Sequence, residues 1–357
     1  MERSLDPQEI LEHVTRPAFL VQDGIITNAN RAALARQIKT GTAVADLIRT
    51  GQLEYKEFSN GRLCLTLCLD NIIFHASAVK ADTCDIFYLE SEFTEPELQV
   101  LALAAQQLRE PLADALTCTD ALMPDAKYRD NPELSYQLQK INRSLYRIHR
   151  AICNMSDAAQ YSNQRLSRME TNDVSAVIAE IMDKACCFAS EAGRTLVYKG
   201  PPQAVYCSID AEKLERALLN MVSNAIKYSS AGSAIHAQLD RTGKRISFSI
   251  RNDTDGLSAH TRATLFNSFT REPGLGDSCN GIGLGMTIIR SAAAAHGGAL
   301  LFDQPSPQEL RFTMTLPVHR STENTVRSPV LLPVDYAGGY DHTLTELADV
   351  LPPKLYE

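Results

Sequence analysis

The sequence predicts a multidomain α+β protein: a small α/β domain, an antiparallel helical hairpin and an α/β sandwich, in that order. Three observations carry this reading. The chain has 357 residues, more than one compact domain of roughly 100–200 residues holds. Two long segments keep the apolar period of an amphipathic helix, with a proline-bounded break between them. A later segment alternates helical patterns with short β-rich runs. The boundaries fall at residues 1–93, 94–170 and 171–320, leaving 321–357 as a linker and C-terminal tail.

Residues 1–93 mix short helices and strands. A helix over Asp6–Thr15 precedes an apolar run, a turn at Asp23-Gly24, a second run and a helix entry near Asn28–Asn30. From Arg62 to Ser91 the chain reads as three β-rich segments, broken at Asp70-Asn71 and at Lys80–Thr83. Residues 94–170 repeat apolar residues at helical spacing, at Leu98, Leu101, Leu108, Leu112 and Leu116, then at Leu134, Leu138, Ile141, Leu145 and Ile148, with Pro124–Pro132 between the two sets. Two such helices form an antiparallel hairpin that cannot bury both faces alone. A second copy completes a four-helix bundle, so a homodimer is predicted.

Residues 171–320 open with a helix from Asn172 that stops at Gly193, followed by strands over 196–200 and 204–209. Asp210 caps a helix that runs to Tyr228, and a hairpin turns at Thr242-Gly243. A helix over Met286–His296, with Gly297-Gly298 behind it, leads into two closing strands. His296 reads as a helix C-terminal residue favoured by the dipole. In the tail, Leu344, Leu347 and Leu351 mark a short amphipathic helix, for which docking back on the chain or disorder is expected.

Lys plus Arg number 35 and Asp plus Glu 43, a formal charge of −8. That acidity argues against broad binding to nucleic acid or an anionic membrane, both of which need a basic face. No run approaches the roughly 18 apolar residues of a membrane span, and the N-terminus lacks a signal peptide's apolar core. Nine scattered cysteines without a C-x-x-C point to a reducing cytoplasm. Cys64, Cys68 and His75 lie in a strand-like apolar run and read as buried residues, not metal ligands.

Two elements carry chemistry. On the helix after Asp210, Asn220 and Asn224 sit one turn apart beside an apolar stripe, with Lys227 and Tyr228 on the next turn. A carboxamide oxygen suits Mg²⁺, and a lysine adds a point charge for phosphate. Gly281, Gly283 and Gly285 precede a helix, where small residues let backbone approach an anion near free N–H groups. The G-x-G-x-G spacing matches neither the dinucleotide fingerprint nor a P-loop.

Taken together, these elements resemble the ATP-binding domain of sensor histidine kinases, a fold shared with gyrase. Asn220-Met221-Val222-Ser223-Asn224-Ala225-Ile226-Lys227-Tyr228 matches the family's N box. Gly281-Ile282-Gly283-Leu284-Gly285-Met286 matches the G2 box, and Leu265–Arg271 the F box, all in family order. The order of elements in residues 1–93 resembles a PAS sensor domain. The resemblance implies that Asn224 ligates Mg²⁺, that Asn220 approaches the phosphates, and that Lys227 and Tyr228 line the nucleotide. Gly281, Gly283, Leu284 and Gly285 would line the nucleotide, with Gly283 and Gly285 as the hinge of a lid over 270–280. It implies ATP and Mg²⁺ as cofactors, and a response regulator or partner kinase downstream. Phe266 and Phe269 read equally as core or lid residues.

Two departures stand out. The family's adenine-reading segment is Asp-x-Gly-x-Gly, and here it is Asn252-Asp253-Thr254-Asp255-Gly256. An amide oxygen at Asn252 still accepts a hydrogen bond, without the strength that charge adds. The family's H box, Ser-His-Glu-Leu-Arg-x-Pro-Leu, is matched by Ala105-Gln106-Gln107-Leu108-Arg109-Glu110-Pro111-Leu112. Gln106 stands at the phosphoacceptor position and Gln107 at that of the adjoining acid. A carboxamide nitrogen is no nucleophile, because its lone pair is delocalised. With the hairpin's middle taken at residue 128, the mirror of Gln106 is residue 150, which makes His149 a candidate substitute acceptor. The competing readings are a sensor histidine kinase-like protein of a phosphorelay, or a pseudokinase that signals as an ATP-responsive dimeric scaffold.

Overall fold

A computed structural model of the chain describes residues 11, 13–81, 83–90, 95–123, 130–161, 168–255, 284–318 and 339–357. Strands β1 (Ala18–Gln22) and β2 (Ile25–Ala29) pair through a turn in which Asp23 and Gly24 both take positive φ, the geometry that matches the twist of two-residue hairpins. Asn30 caps α1 (Arg31–Ala35) by accepting from Ala33 N at 2.9 Å, and its amide nitrogen also holds Val14 O and Arg16 O. After α2 (Val44–Leu47), β3 (Ile48–Thr50) and α3 (Gln52–Glu57) come β4 (Arg62–Leu69), β5 (Ile72–Lys80) and β6 (Asp85–Leu89). Asp70 and Asn71, both at positive φ, make the β4–β5 turn. The order β2-β1-β6-β5-β4, with β3 on β4, is antiparallel throughout, and β4-β5-β6 within it form a meander. Alternate residues Leu63, Leu65, Leu67, Ala76, Ala78 and Phe87 form its inner face.

The hairpin comprises α4 (Glu95–Leu122) and α5 (Pro132–Tyr161). Ala105, Leu112, Leu116 and Ile152 bury between the two helices. Val100, Leu103, Ile141 and Ile148 remain exposed, at 66, 58, 48 and 46%. These large apolar side chains are left uncovered by the described residues of one chain.

The third region starts with β7 (Glu170–Asp173), which pairs with β9 (Tyr206–Ile209). Its presence corrects the sequence reading, which carried helix to about residue 170. Asp173 caps α6 (Val174–Glu191), and Gly193 follows the helix at φ 70°. β8 (Thr195–Lys199), β10 (Ala234–Thr242), β11 (Arg245–Asp253), β12 (Leu300–Ser306) and β13 (Glu309–Pro317) form a mixed sheet. Helices α6, α7 (Ala211–Tyr228) and α8 (Gly285–Ala295) supply Met182, Leu218, Val222 and Ile289 to a core shared with Ile235, Phe248 and Met314 of the sheet. This is an α/β sandwich, as the alternation of elements predicts.

Two features lie outside the sequence reading. β12 pairs antiparallel with β4, Cys64 opposite Leu300, so the N-terminal meander and the third region share one sheet of eleven strands. Gly61 makes this approach possible: its φ is +85°, and a Cβ there would lie 2.2 Å from Phe302 O. A buried Arg290–Glu90 pair at 3.5 Å spans the same seam. The tail forms α9 (His342–Glu346) and a 3₁₀ turn (Pro353–Leu355). Leu347, Ala348, Leu351 and Tyr356 are almost wholly buried in the core that α6 and α7 build.

Candidate functional site

Asp210 opens α7 by accepting from Lys213 N at 3.2 Å. Leu214, Leu218, Met221, Val222 and Ala225 turn the apolar stripe of α7 into the core, which sets Asn220 and Asn224 on its edge. Asn220 is buried and Asn224 half-buried. α8 begins against them. A Cβ on Gly285 would lie 2.9 Å from Asn220 Oδ1, and Asn224 Nδ2 lies 3.6 Å from Met286 Sδ. The paired carboxamides and the end of the glycine strip are therefore neighbouring walls, and Gly285 is small because Asn220 lies against it. Leu284, at the N-cap of α8, is buried. Lys227 and Tyr228 follow on the same helix, the ammonium 5.3 Å from the ring centroid.

Asn252 is the last residue but one of β11, which packs on α7. It is 1% exposed; its Nδ2 donates to Asp253 O at 3.2 Å, and its Oδ1 has no hydrogen-bond partner among the described residues. A buried acceptor without a donor is costly and rare, and it fits an exocyclic amino group such as that of adenine. Ser230 ties the end of α7 to this strand: its N–H donates to Asp253 O at 2.9 Å and its hydroxyl to Asp255 Oδ1 at 2.8 Å. Gly256, Gly281, Gly283, Phe266, Phe269 and the expected lid over 270–280 lie outside the described residues.

Asn220 has further partners that the sequence did not reveal. Its Oδ1 accepts from Arg150 Nη2 of α5 at 2.9 Å. Its Nδ2 donates to Arg216 O at 2.8 Å and to Glu346 Oε2 of the tail at 3.0 Å. Arg216 Nε donates to Glu346 Oε1 at 2.9 Å, and the same guanidinium holds Asn154 and Asp157 of α5. Spacing on one helix gives no sign of such cross-element contacts. The acidic tail with its leucine period was the only visible signal.

His296 is the C-cap of α8, at the helix C-terminus as expected, but its role there differs from the expected one. It is buried, its Nε2 accepts from Asp210 N at 3.0 Å, and its Nδ1–H donates to Ala292 O at 2.7 Å. Burial lowers its pKa, so it acts as a neutral bridge between α8 and the start of α7, not as a cation on a helix dipole.

The equal-height argument for His149 also fails. Arg109 Nη2 reaches Ser156 Oγ at 3.1 Å, and Thr119 Oγ1 reaches Asn142 Oδ1 at 3.5 Å. Three residues beyond the first rung, Gln106 is level with about residue 159, ten residues from His149. At about 1.5 Å per residue that is about 15 Å, and the second rung leaves about 9 Å. The hairpin turns later than residue 128, because α5 begins only at Pro132. Gln106 is exposed, whereas His149 is buried 5.6 Å from the Tyr340 ring and 3.8 Å from Cys153 Sγ.

Residues 209–320 match the family described as histidine kinase-, DNA gyrase B- and HSP90-like ATPase. The adaptive-response sensory kinase SasA of Synechocystis is 27% identical over 234 residues, which is 62% of this chain and 59% of that protein. The sensor histidine kinase CpxA of Escherichia coli is 25% identical over 223 residues, 62% of this chain and 47% of that protein. The chain thus spans about half to three-fifths of the length of these relatives. Full-length ShkA in complex with AMPPNP aligns with a TM-score of 0.48 at 20% identity, over 62% of this chain and 46% of that one.

Proposed function

Since the chain is a member of the sensor histidine kinase family, with its ATPase domain over residues 209–320, we propose that it binds Mg·ATP and acts in two-component signalling as a cytoplasmic homodimer. The observation that carries this reading is the buried Oδ1 of Asn252, which has no partner among the described residues. It stands near the end of a strand packed on the helix that bears Asn220 and Asn224, and on this reading it accepts from the adenine amino group. Asn224 would hold Mg²⁺ through its carboxamide oxygen, while Asn220, Lys227 and the glycine strip would meet the phosphates. When bound, the metal neutralises phosphate charge. The N-terminal meander has a strand order that supports a PAS-like sensor. The large apolar side chains left exposed on α4 and α5 support pairing with a second copy. No described helix is long and apolar enough to cross a membrane.

A second reading is favoured by one observation. Gln106 and Gln107 occupy the level of the acceptor and its acid, and His149, the sole histidine between residues 94 and 170, lies at another height. On this reading the dimer is a pseudokinase scaffold that acts on a response regulator or partner kinase through its nucleotide-dependent shape. Incubation with γ-labelled ATP and acid treatment separates the two. Acid-labile label on the protein supports the kinase, and tight nucleotide binding without label supports the scaffold. Calorimetry that finds no heat from Mg·ATP, with Asn224→Ala as the comparison, overturns both.

A further inference from the structure

The tail is joined to the candidate nucleotide site by a buried carboxylate. Glu346 is wholly buried, and removing a carboxylate from water costs several kcal/mol unless donors replace the water. Three donors do so here: Arg216 Nε at 2.9 Å, Arg150 Nε at 3.3 Å and Asn220 Nδ2 at 3.0 Å. Asp349 extends the grip, accepting from Arg150 Nη1 at 2.7 Å and Arg147 Nε at 3.0 Å. The anchor is apolar as well, since Leu347, Leu351 and Tyr356 enter the core beside it.

Donors on Asn220 are in limited supply. A carboxamide nitrogen carries two N–H groups. One is engaged by Arg216 O at 2.8 Å, a contact within α7, and the other by Glu346. A phosphate oxygen is an acceptor and needs one of them. The Oδ1 atom, already taken by Arg150, offers a phosphate nothing. The negative charge of Glu346 would also repel an incoming phosphate across a poorly screened interior.

We propose that the C-terminal segment Asp341–Glu357 is an internal ligand of the nucleotide site: the Glu346 carboxylate fills the anion position made by Asn220, Arg150 and Arg216, so that the docked segment and a triphosphate engaged on Asn220 exclude one another. This rests on the nucleotide reading above. Glu346 also bridges Arg150 of the hairpin and Arg216 of the ATPase domain, so its withdrawal removes one clamp between them and leaves the direct contacts of Arg216 with Asn154 and Asp157. Nucleotide binding and release of that clamp become a single event, and the docked fraction lowers apparent affinity by the share of molecules it holds.

The test uses the full chain in two measurements. Titration calorimetry compares Mg·AMPPNP with adenosine on wild type and Glu346→Ala, in which Arg216 keeps its contacts to Asn154 and Asp157. The expected result is about tenfold tighter Mg·AMPPNP binding in the variant, with adenosine unchanged because it has no phosphate. Hydrogen–deuterium exchange on the wild type, which needs no variant, should show residues 341–357 protected without nucleotide and exposed at saturating Mg·AMPPNP. Equal Mg·AMPPNP affinities, or a segment that stays protected at saturation, would overturn the proposal and leave the nucleotide reading intact. Failure of both ligands to bind either protein would overturn the nucleotide reading and this proposal with it.

Discussion

Replacing Asn252 by leucine should affect the empty and the nucleotide-bound protein in opposite ways. Leucine keeps the branched heavy-atom skeleton of asparagine, so the site stays filled. In the empty protein the change removes one hydrogen bond, Nδ2 to Asp253 O at 3.2 Å, worth about 0.5–1.5 kcal/mol net. It also removes a buried acceptor that has no partner among the described residues, whose desolvation costs about 1–3 kcal/mol. These terms offset, so the melting temperature without ligand should equal or exceed that of wild type. With ATP the balance reverses, because the adenine amino group then loses its acceptor inside a dry site. The loss of about 1–3 kcal/mol corresponds to about 5- to 150-fold in Kd. GTP presents a carbonyl oxygen at that position, so the variant should also narrow the preference for ATP over GTP. Thermal melts and calorimetry read both quantities. A variant that melts well below wild type yet binds ATP as tightly would show that Asn252 is a structural residue and that its Oδ1 does not read adenine.

Burial, reinforced by the charge of Arg290, pushes His75 down to about 3 from an ordinary value of 6.5. The folded state therefore binds fewer protons than the unfolded state between those values. The stability His75 contributes is complete above about pH 6.5 and falls as pH drops toward 3, by about 1.4 kcal/mol per pH unit; His75→Gln should flatten that limb in melts taken between pH 7 and 4. Gly61→Ala places a Cβ at φ +85° and 2.2 Å from Phe302 O, whereas Gly24, at φ +78°, has open space. Alanine at either position should cost about 1–3 kcal/mol in backbone strain, and only Gly61→Ala should lose more, so equal melting temperatures for the two would refute the tight seam. Leu103 is 58% exposed on the hairpin, and burying a leucine is worth about 1.5–3 kcal/mol on each subunit. Leu103→Lys should therefore shift the mass measured by light scattering at micromolar concentration from dimer to monomer, and an unchanged mass would place the interface elsewhere.

What the sequence disclosed and what it withheld divide along one physical line. Periodicity and capping act within a few residues, so α7 could be placed from Asp210 and its apolar stripe, and the turns at Asp23-Gly24 and Asp70-Asn71 from their tolerance of positive φ. Asn220, Asn224 and the glycine strip were found because their spacing is itself local. The pairing of β4 with β12 joins residues more than 230 positions apart. Its only local trace is Gly61, which looks like any other turn glycine until Phe302 is beside it. Glu346 was equally opaque, because an acidic residue on a short helix is normally solvated, and only the arrival of Arg150 and Arg216 from two other helices makes its burial tolerable. His149 shows the limit from the other side. Its height was inferred from a turn centre guessed between two prolines, and an error of a few residues in that centre doubles on the opposite helix. Local rules thus located the parts of the candidate site, while long-range contacts determine which of those parts are already engaged. Asn220 belongs to both groups, which makes its hydrogen-bond count the most informative quantity in the molecule.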